Sequence, residues 1–177
     1  MLKLMAASRH RFEPWSSINI LPRLKPRFAD NEGNAYRHFS AAGLSTPQLY
    51  AYGEDWHFGL RGQGFVLVEW MDHPLLQTQL EQASNSGSNE LIKETCFAWA
   101  AYLSAVHHSG YVHGDADSDN FLLTANNNII AIDLEKSQPL NEKNQLKEIN
   151  RATRCLAEHG VNQELIDATV DHYHICL

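Results

Sequence analysis

Residues Tyr111–Asp133 read YVHGDADSDNFLLTANNNIIAID, and this stretch decides the fold predicted for the chain. It follows a long helical pattern and places His113, Asp115 and Asn120 in a polar loop. Two short apolar runs come next, joined by an Asn-rich turn that favours a β-hairpin, because Asn tolerates left-handed backbone. Twelve residues separate Asn120 from Asp133, which ends the second apolar run.

These residue types suit the transfer of a phosphoryl group. That chemistry needs a carboxylate to orient the attacking hydroxyl and hard oxygen ligands to hold magnesium against the nucleotide phosphates. A loop and a hairpin can bring Asp115, Asn120 and Asp133 together for this purpose. The alternative is structural, since Asp and Asn are also common in turns that have no catalytic role.

The remaining sequence predicts an α+β protein. Apolar spacing predicts four helices, and two aromatic and β-branched runs predict a first antiparallel hairpin. The polar run 82–89 is predicted to be a loop. Because helices and hairpins alternate without a parallel β-α-β crossover, α+β is favoured over α/β. The predicted helices are 28–42, 90–108, 142–158 and 163–172, and the first hairpin is 47–53 with 64–69.

Composition limits the classes of protein. The 177 residues, 44% of them hydrophobic, suffice for one globular domain with a small appended lobe, which excludes a disordered chain or a disulfide scaffold. A net charge of -7 gives no electrostatic basis for binding nucleic acid, although it is compatible with a local basic patch. Three scattered cysteines and the lack of a long apolar run predict a cytoplasmic protein without a transmembrane segment.

The motif H-x-D-x4-N, followed by a hairpin and an Asp, resembles the catalytic core of the protein-kinase-like superfamily. HGD, DNFLLT and IDLEK are most similar to the lipopolysaccharide core kinases, which act on 3-deoxy-D-manno-octulosonic acid or heptose. Upstream, NAYRHFSAAGLSTPQLYAYGE and GFVLVEWMD resemble the helix C, strands and hinge of that family. The resemblance covers roughly residues 1–158.

The resemblance implies a role for each residue of the motif. Asp115 would be the catalytic base, His113 would brace the loop, and Asn120 and Asp133 would be magnesium ligands. The segment from Glu69 to Met71 would be the hinge that binds the adenine of ATP through its backbone.

Glu32 stands out because it falls between Phe28 and Ala35, on the apolar face of the first predicted helix. A carboxylate there is costly without a partner. The resemblance makes Glu32 the helix C glutamate and supplies Lys3 as the cation that would contact the phosphates. Lys25 is the competing candidate, and a first-turn carboxylate favoured by the helix dipole is the alternative for Glu32.

The sequence departs from the family in two places and from protein kinases in a third. Only Met1 and Leu2 precede Lys3, so the strands that carry the glycine-rich loop are expected to be absent. Asp117 and Asp119 make the catalytic loop acidic, with a repulsion that metal would relieve and that a basic substrate would exploit. No activation segment of the protein-kinase type follows Asp133, which argues against a peptide substrate.

The sequence therefore predicts a minimal kinase-like α+β protein. Residues 1–70 would form a truncated, nucleotide-side N-lobe of helix C plus a hairpin, and residues 71–177 a mainly helical C-lobe. The expected function is ATP- and Mg²⁺-dependent transfer of phosphate to a sugar hydroxyl of lipopolysaccharide inner core or a similar small acceptor, in the cytoplasm or in peripheral contact with the inner face of the inner membrane. Two alternatives stay open: a pseudokinase or binding module that lacks the glycine-rich loop, and a fragment of a longer kinase.

Overall fold

The computed structural model describes residues 28–57 and 60–177. The described helices are α1 (Phe28–Ala41), α2 (Leu76–Ser86), α3 (Asn89–His108), α4 (Glu142–Glu158) and α5 (Gln163–Cys176). The strands form antiparallel pairs: β1 (Leu49–His57) with β2 (Leu60–Val68), β3 (Tyr111–Val112) with β6 (Gln138–Pro139), and β4 (Phe121–Leu123) with β5 (Ile129–Ala131). This architecture confirms the predicted α+β class.

Helix α3 lies at the centre of the hydrophobic core. Cys96, Trp99, Leu103 and Val106 are spaced three or four residues apart, so they share one face of the helix, and all are buried. The Trp99 ring meets Phe121 of β4 edge-on, with ring centroids 5.5 Å apart. The helix thus supports the hairpin that follows the catalytic loop.

Helix α1 packs against the β1–β2 hairpin. Ala35 and Phe39 are buried on its inner face. Gly33 allows a close approach to the hairpin, because a Cβ at this position would lie 2.4 Å from the ring of Tyr52. On its other side the His38 ring stacks on Tyr111, with centroids 3.8 Å apart, and so ties α1 to the strand that enters the catalytic loop.

One helix was not predicted. The run 82–89 was expected to be a loop, but α2 occupies Leu76–Ser86, and Leu76, Leu80 and Ala83 are buried along one face. The prediction was wrong because the polar residues of this run lie on the exposed face. Gly87, with a φ of 67°, ends the helix in a left-handed C-cap, and α3 begins two residues later.

The remaining predicted elements are confirmed, with changes at their ends. Helix α4 spans the predicted residues and begins with a capping box between Asn141 and Asn144. Asn162 caps α5 by accepting a hydrogen bond from the Leu165 N–H at 2.9 Å. The β4–β5 turn contains Asn127 at a φ of 61°, the left-handed conformation that its sequence favours.

Within residues 28–57 and 60–177, none of the helices combines the length and the apolar character that a membrane crossing requires.

Candidate active site

The β4–β5 hairpin brings two predicted metal ligands to one end of the sheet. Phe121 pairs with Ala131, so Asn120 and Ile132 emerge side by side at the open end of the hairpin. The Ile132 N–H donates to the Asn120 carbonyl at 3.0 Å, and Asp133 follows directly. Asp133 has a φ of 57°, a left-handed conformation that is uncommon for a non-glycine residue and is enriched at functional sites.

Asn120 also fixes the catalytic loop. Its side-chain amide donates to the Asp115 carbonyl at 2.9 Å. The amide nitrogen is therefore used inside the protein, and the side-chain oxygen is the atom that remains suitable for a cation. Asp115, Asn120 and Asp133 are thus brought together by the loop and hairpin.

His113 lies at the centre of this arrangement and is fully buried. Its Nε2 is 3.1 Å from the Ile132 carbonyl oxygen, and its ring packs against Phe121. Burial lowers the pKa of His113 below its usual value, so the ring is neutral near pH 7 and donates from Nε2 to this carbonyl. His113 therefore connects the catalytic loop to the residue before Asp133, a geometry consistent with a bracing role.

Two cations hold the Asp115 carboxylate. Lys136 Nζ donates to Asp115 Oδ2 at 2.5 Å, and Arg151 of α4 forms an ion pair with Oδ1. Arg151 also donates a hydrogen bond to Asp117, and that bond lowers the pKa of Asp117. Arg151 therefore offsets the charge of Asp117 within the protein, and relief of the remaining charge of the loop by metal stays a prediction.

A buried carboxylate on α4 supports the loop from behind. Glu148 is 4% exposed and accepts hydrogen bonds from the backbone N–H groups of His113 at 3.2 Å and Gly114 at 2.6 Å. Its Oε2 is also 2.7 Å from His107 Nε2. The other ring nitrogen, His107 Nδ1, is 2.7 Å from the Tyr173 hydroxyl, so His107 links Glu148 to α5.

Glu32 of α1 faces the same site from the other side. Burial, followed by the charges of Asp133 and Glu135, raises the pKa of Glu32 to about 7. The neighbouring Asn31 fixes this contact, because its amide donates to the carbonyls of Glu135 at 2.7 Å and Ser137 at 3.0 Å. Glu32 thus lies close enough to Asp133 for the two charges to interact. Its predicted partner Lys3 and the competitor Lys25 lie outside the described residues.

The predicted hinge lies where β2 ends. The Glu69 N–H donates to the Gln48 carbonyl at 2.8 Å, so this group belongs to the hairpin. The segment then leads towards β4, since the Leu123 N–H donates to the Pro74 carbonyl at 3.0 Å. Glu69 and Met71 therefore lie on the connection between the β1–β2 hairpin and the β4–β5 hairpin.

The donor set suits magnesium. In the described part of the chain, no three His, Cys, Asp or Glu side chains form a metal-binding cluster. Magnesium, however, is commonly held by one or two protein oxygens together with substrate phosphates and water. Asn120 Oδ1 and Asp133 supply hard oxygens. The pKa of Glu32 is raised mainly by burial, and the charges of Asp133 and Glu135 raise it further. These residues therefore fit a nucleotide-bound divalent cation.

Comparison with known proteins identifies the family. The family model described as "Lipopolysaccharide kinase (Kdo/WaaP) family" matches residues 19–173. The chain belongs to the lipopolysaccharide kinase (Kdo/WaaP) family. This assignment confirms the resemblance stated from the HGD, DNFLLT and IDLEK motifs. A comparison with curated proteins finds no match.

Solved structures show the same kinase-like fold as this Kdo/WaaP family member. WaaP in complex with acyl carrier protein matches with a TM-score of 0.72 and 20% identity, over 83% of this chain and 66% of that one. A 2.2 Å crystal structure of WbdD matches with a TM-score of 0.52 and 14% identity, over 84% of this chain and 36% of that one. Monomeric WbdD matches with a TM-score of 0.54 and 14% identity, over 81% of this chain and 37% of that one. The chain thus spans just under two thirds of the WaaP chain and little more than a third of WbdD.

Sequence reasoning missed four residues that shape the site: Asn31, Lys136, Glu148 and Arg151. Lys136 lies within the quoted IDLEK motif, and its proximity to Asp133 was the available signal. Glu148 and Arg151 gave no such signal, because charged residues in an amphipathic helix are usually solvated. Only the packing of α4 against the catalytic loop distinguishes these two residues from the solvated charges of the same helix.

Proposed function

We propose that this Kdo/WaaP family member transfers the γ-phosphate of ATP to a hydroxyl of a lipopolysaccharide inner-core sugar or a similar small acceptor. The observation that carries the proposal is the convergence of Asp115, Asn120 and Asp133 around the buried His113, within the fold of this family. Residues 1–70 would contribute the nucleotide-side lobe and residues 71–177 the lobe that carries the catalytic loop.

Asp115 would receive and orient the acceptor hydroxyl. Its carboxylate is 13% exposed, so it can reach an acceptor while Lys136 and Arg151 restrict its movement. Orientation of this kind accounts for most of the protein's share in phosphoryl transfer, because the transition state involves little covalent chemistry with the protein. The hydroxyl proton would pass to the Asp115 carboxylate as the new O–P bond forms and the bond from the γ-phosphorus to the bridging oxygen breaks, with ADP as the leaving group.

Asn120 and Asp133 would hold the magnesium that accompanies ATP. When bound, this ion neutralises charge on the phosphates during transfer. Glu32 would position a lysine against the phosphates, with Lys3 as the proposed partner. The backbone between Glu69 and Met71 would bind adenine.

The direct test is transfer of labelled γ-phosphate. Purified protein, ATP labelled at the γ-position, Mg²⁺ and inner-core lipopolysaccharide are incubated, and label is measured on the acceptor. Because WaaP was solved with acyl carrier protein, the assay is run with and without an acyl carrier protein. The proposal predicts labelled acceptor with the wild type and its loss in Asp133→Asn. Absence of label under all conditions would contradict the proposal.

A binding module is the second candidate, and one observation favours it. Both oxygens of Asp115 are paired with cations, as expected of a carboxylate that only stabilises the loop. A nucleotide-binding protein without transfer would be stabilised by ATP and Mg²⁺, by about 2.7 kcal/mol at ligand concentrations 100 times the dissociation constant. Thermal stabilisation without labelled acceptor would support this candidate over the kinase.

A further inference from the structure

All four basic residues of α4 lie on one face of the helix. At about 100° per residue, the four side chains fall within roughly 80° of the helix circumference. They are Lys143, Lys147, Arg151 and Arg154. Together with Leu146 and Asn150 they line a surface recess of about 370 Å³. A chain with a net charge of -7 thus presents a concentrated positive surface, which we call the α4 basic face.

The α4 basic face adjoins the candidate catalytic carboxylate. The other side of α4 is anchored to the loop by Glu148, which accepts from the Gly114 N–H. Arg151 lies at the edge of the basic face and contacts both Asp115 and Asp117. At about 1.5 Å per residue, Lys147 and Lys143 follow at roughly 6 and 12 Å along the axis. A ligand that reaches Asp115 from this side would therefore pass over both lysines.

Repulsion between the charges of the α4 basic face destabilises the helix when no anion is bound. Lys143 with Lys147, and Lys147 with Arg151, are like-charge pairs at i,i+4, which destabilise a helix. Arg154 is compensated by Glu158 at 3.6 Å, and Arg151 by its two aspartates. Within the described part of the chain, neither Lys143 nor Lys147 forms an ion pair, and both are exposed. These two charges are thus free for an external anion.

We propose that the α4 basic face binds the anionic groups, carboxylate or phosphate, of the saccharide acceptor and so presents its hydroxyl to Asp115. This inference rests on the proposed kinase function and adds the subsite that recognises the acceptor. An acidic saccharide is favoured over a lipid surface because the recess is continuous with the catalytic carboxylate through Arg151. Leu146 is the one apolar side chain in its lining, which is little for insertion into a membrane.

The test measures binding separately from activity. The probe is deacylated inner-core oligosaccharide that retains its carboxylates and phosphates, titrated calorimetrically into the full chain at low and high salt. The variant is Lys143→Gln with Lys147→Gln. The matched control, Arg37→Gln with Lys93→Gln, removes the same charge from exposed residues of α1 and α3. A parallel arm measures sedimentation with phosphatidylglycerol vesicles.

The proposal predicts at least tenfold weaker oligosaccharide binding in the α4 variant, a smaller salt dependence, and a change below twofold in the control. Equal binding by both variants would overturn it. Loss of vesicle binding with no binding of the soluble oligosaccharide would also overturn it, in favour of a lipid surface.

Phosphate transfer separates this inference from the kinase proposal. If the wild type transfers no phosphate but oligosaccharide binding depends on Lys143 and Lys147, the subsite stands and the kinase proposal fails. If transfer occurs and the α4 variant keeps the acceptor KM of the wild type, the kinase proposal stands and the subsite fails.

Discussion

Glu148 is predicted to determine the stability of the catalytic loop, and Glu148→Gln tests this with little change in shape. In the wild type, Oε2 accepts from His107 and from the His113 N–H, while Oε1 accepts from the Gly114 N–H. A glutamine amide has one oxygen, so its NH₂ group must face at least one of these donors. Whichever way the amide is oriented, a buried N–H loses its acceptor.

The expected loss of stability in Glu148→Gln follows from the number of buried donors left without an acceptor. A buried donor without a partner costs about 1–3 kcal/mol, and the displaced NH₂ group adds a second poorly paired donor. We expect a loss of about 2–4 kcal/mol in the free energy of unfolding. For a chain of this length, 1 kcal/mol changes Tm by about 2–4 °C, so the expected decrease in Tm is roughly 5–15 °C.

The matched control is Glu158→Gln on the same helix. Glu158 is exposed and pairs with Arg154 at 3.6 Å, so its loss should cost less than about 0.5 kcal/mol. Both variants are measured by urea denaturation and calorimetry, and Glu148→Ala should be at least as unstable as Glu148→Gln. Equal stability of Glu148→Gln and Glu158→Gln would refute the conclusion that this carboxylate supports the loop.

Two further predictions concern the backbone and the charge of the site. Gly114→Ala should cost about 2 kcal/mol or more in the free energy of unfolding, measured by denaturation, because a Cβ at a φ of 84° would lie 2.1 Å from the Lys136 carbonyl oxygen. Gly110→Ala has the same φ and no neighbour within 4 Å, so it should cost only about 1 kcal/mol, and equal losses would contradict the steric argument. The pKa of Glu32, raised to about 7 from 4.5, means that the folded state binds this proton more tightly than the unfolded state. In chelator-treated buffer, wild-type stability relative to Glu32→Gln should therefore be highest below about pH 4.5 and fall by up to about 3 kcal/mol as pH rises through 7. A difference that does not change with pH would contradict the raised pKa of Glu32.

Much of the fold could be predicted because local sequence determines it. Helix α4 was predicted with its observed ends because its apolar spacing is regular, and the structure adds an Asn141 cap that the prediction did not use. Helix α2 was missed because Ser84, Asn85 and Ser86 resemble a loop, while burial of Leu80 depends on contacts that the sequence does not show.

The candidate site was predictable to a similar degree. His113, Asp115, Asn120 and Asp133 lie within one short stretch, so a loop followed by a hairpin could be predicted to bring them together, and the resemblance to the family supplied their expected roles. Of the two partners of Asp115, Lys136 lies in the IDLEK motif, whereas Arg151 comes from α4 and could be identified only from how that helix packs. A glutamate such as Glu148 has the same sequence pattern whether it is solvated or buried beneath a catalytic loop.

The most direct measurement of the central claim is phosphate transfer by Asp115→Asn compared with Asp119→Asn. Both changes remove one carboxylate from the same loop, but Asp119 is exposed. Single-turnover transfer from labelled ATP to inner-core lipopolysaccharide is followed, with Tm measured on the same samples. A catalytic role for Asp115 predicts a loss of about 100-fold or more in Asp115→Asn, with near wild-type rates in Asp119→Asn. Equal rates in the two folded variants would contradict it.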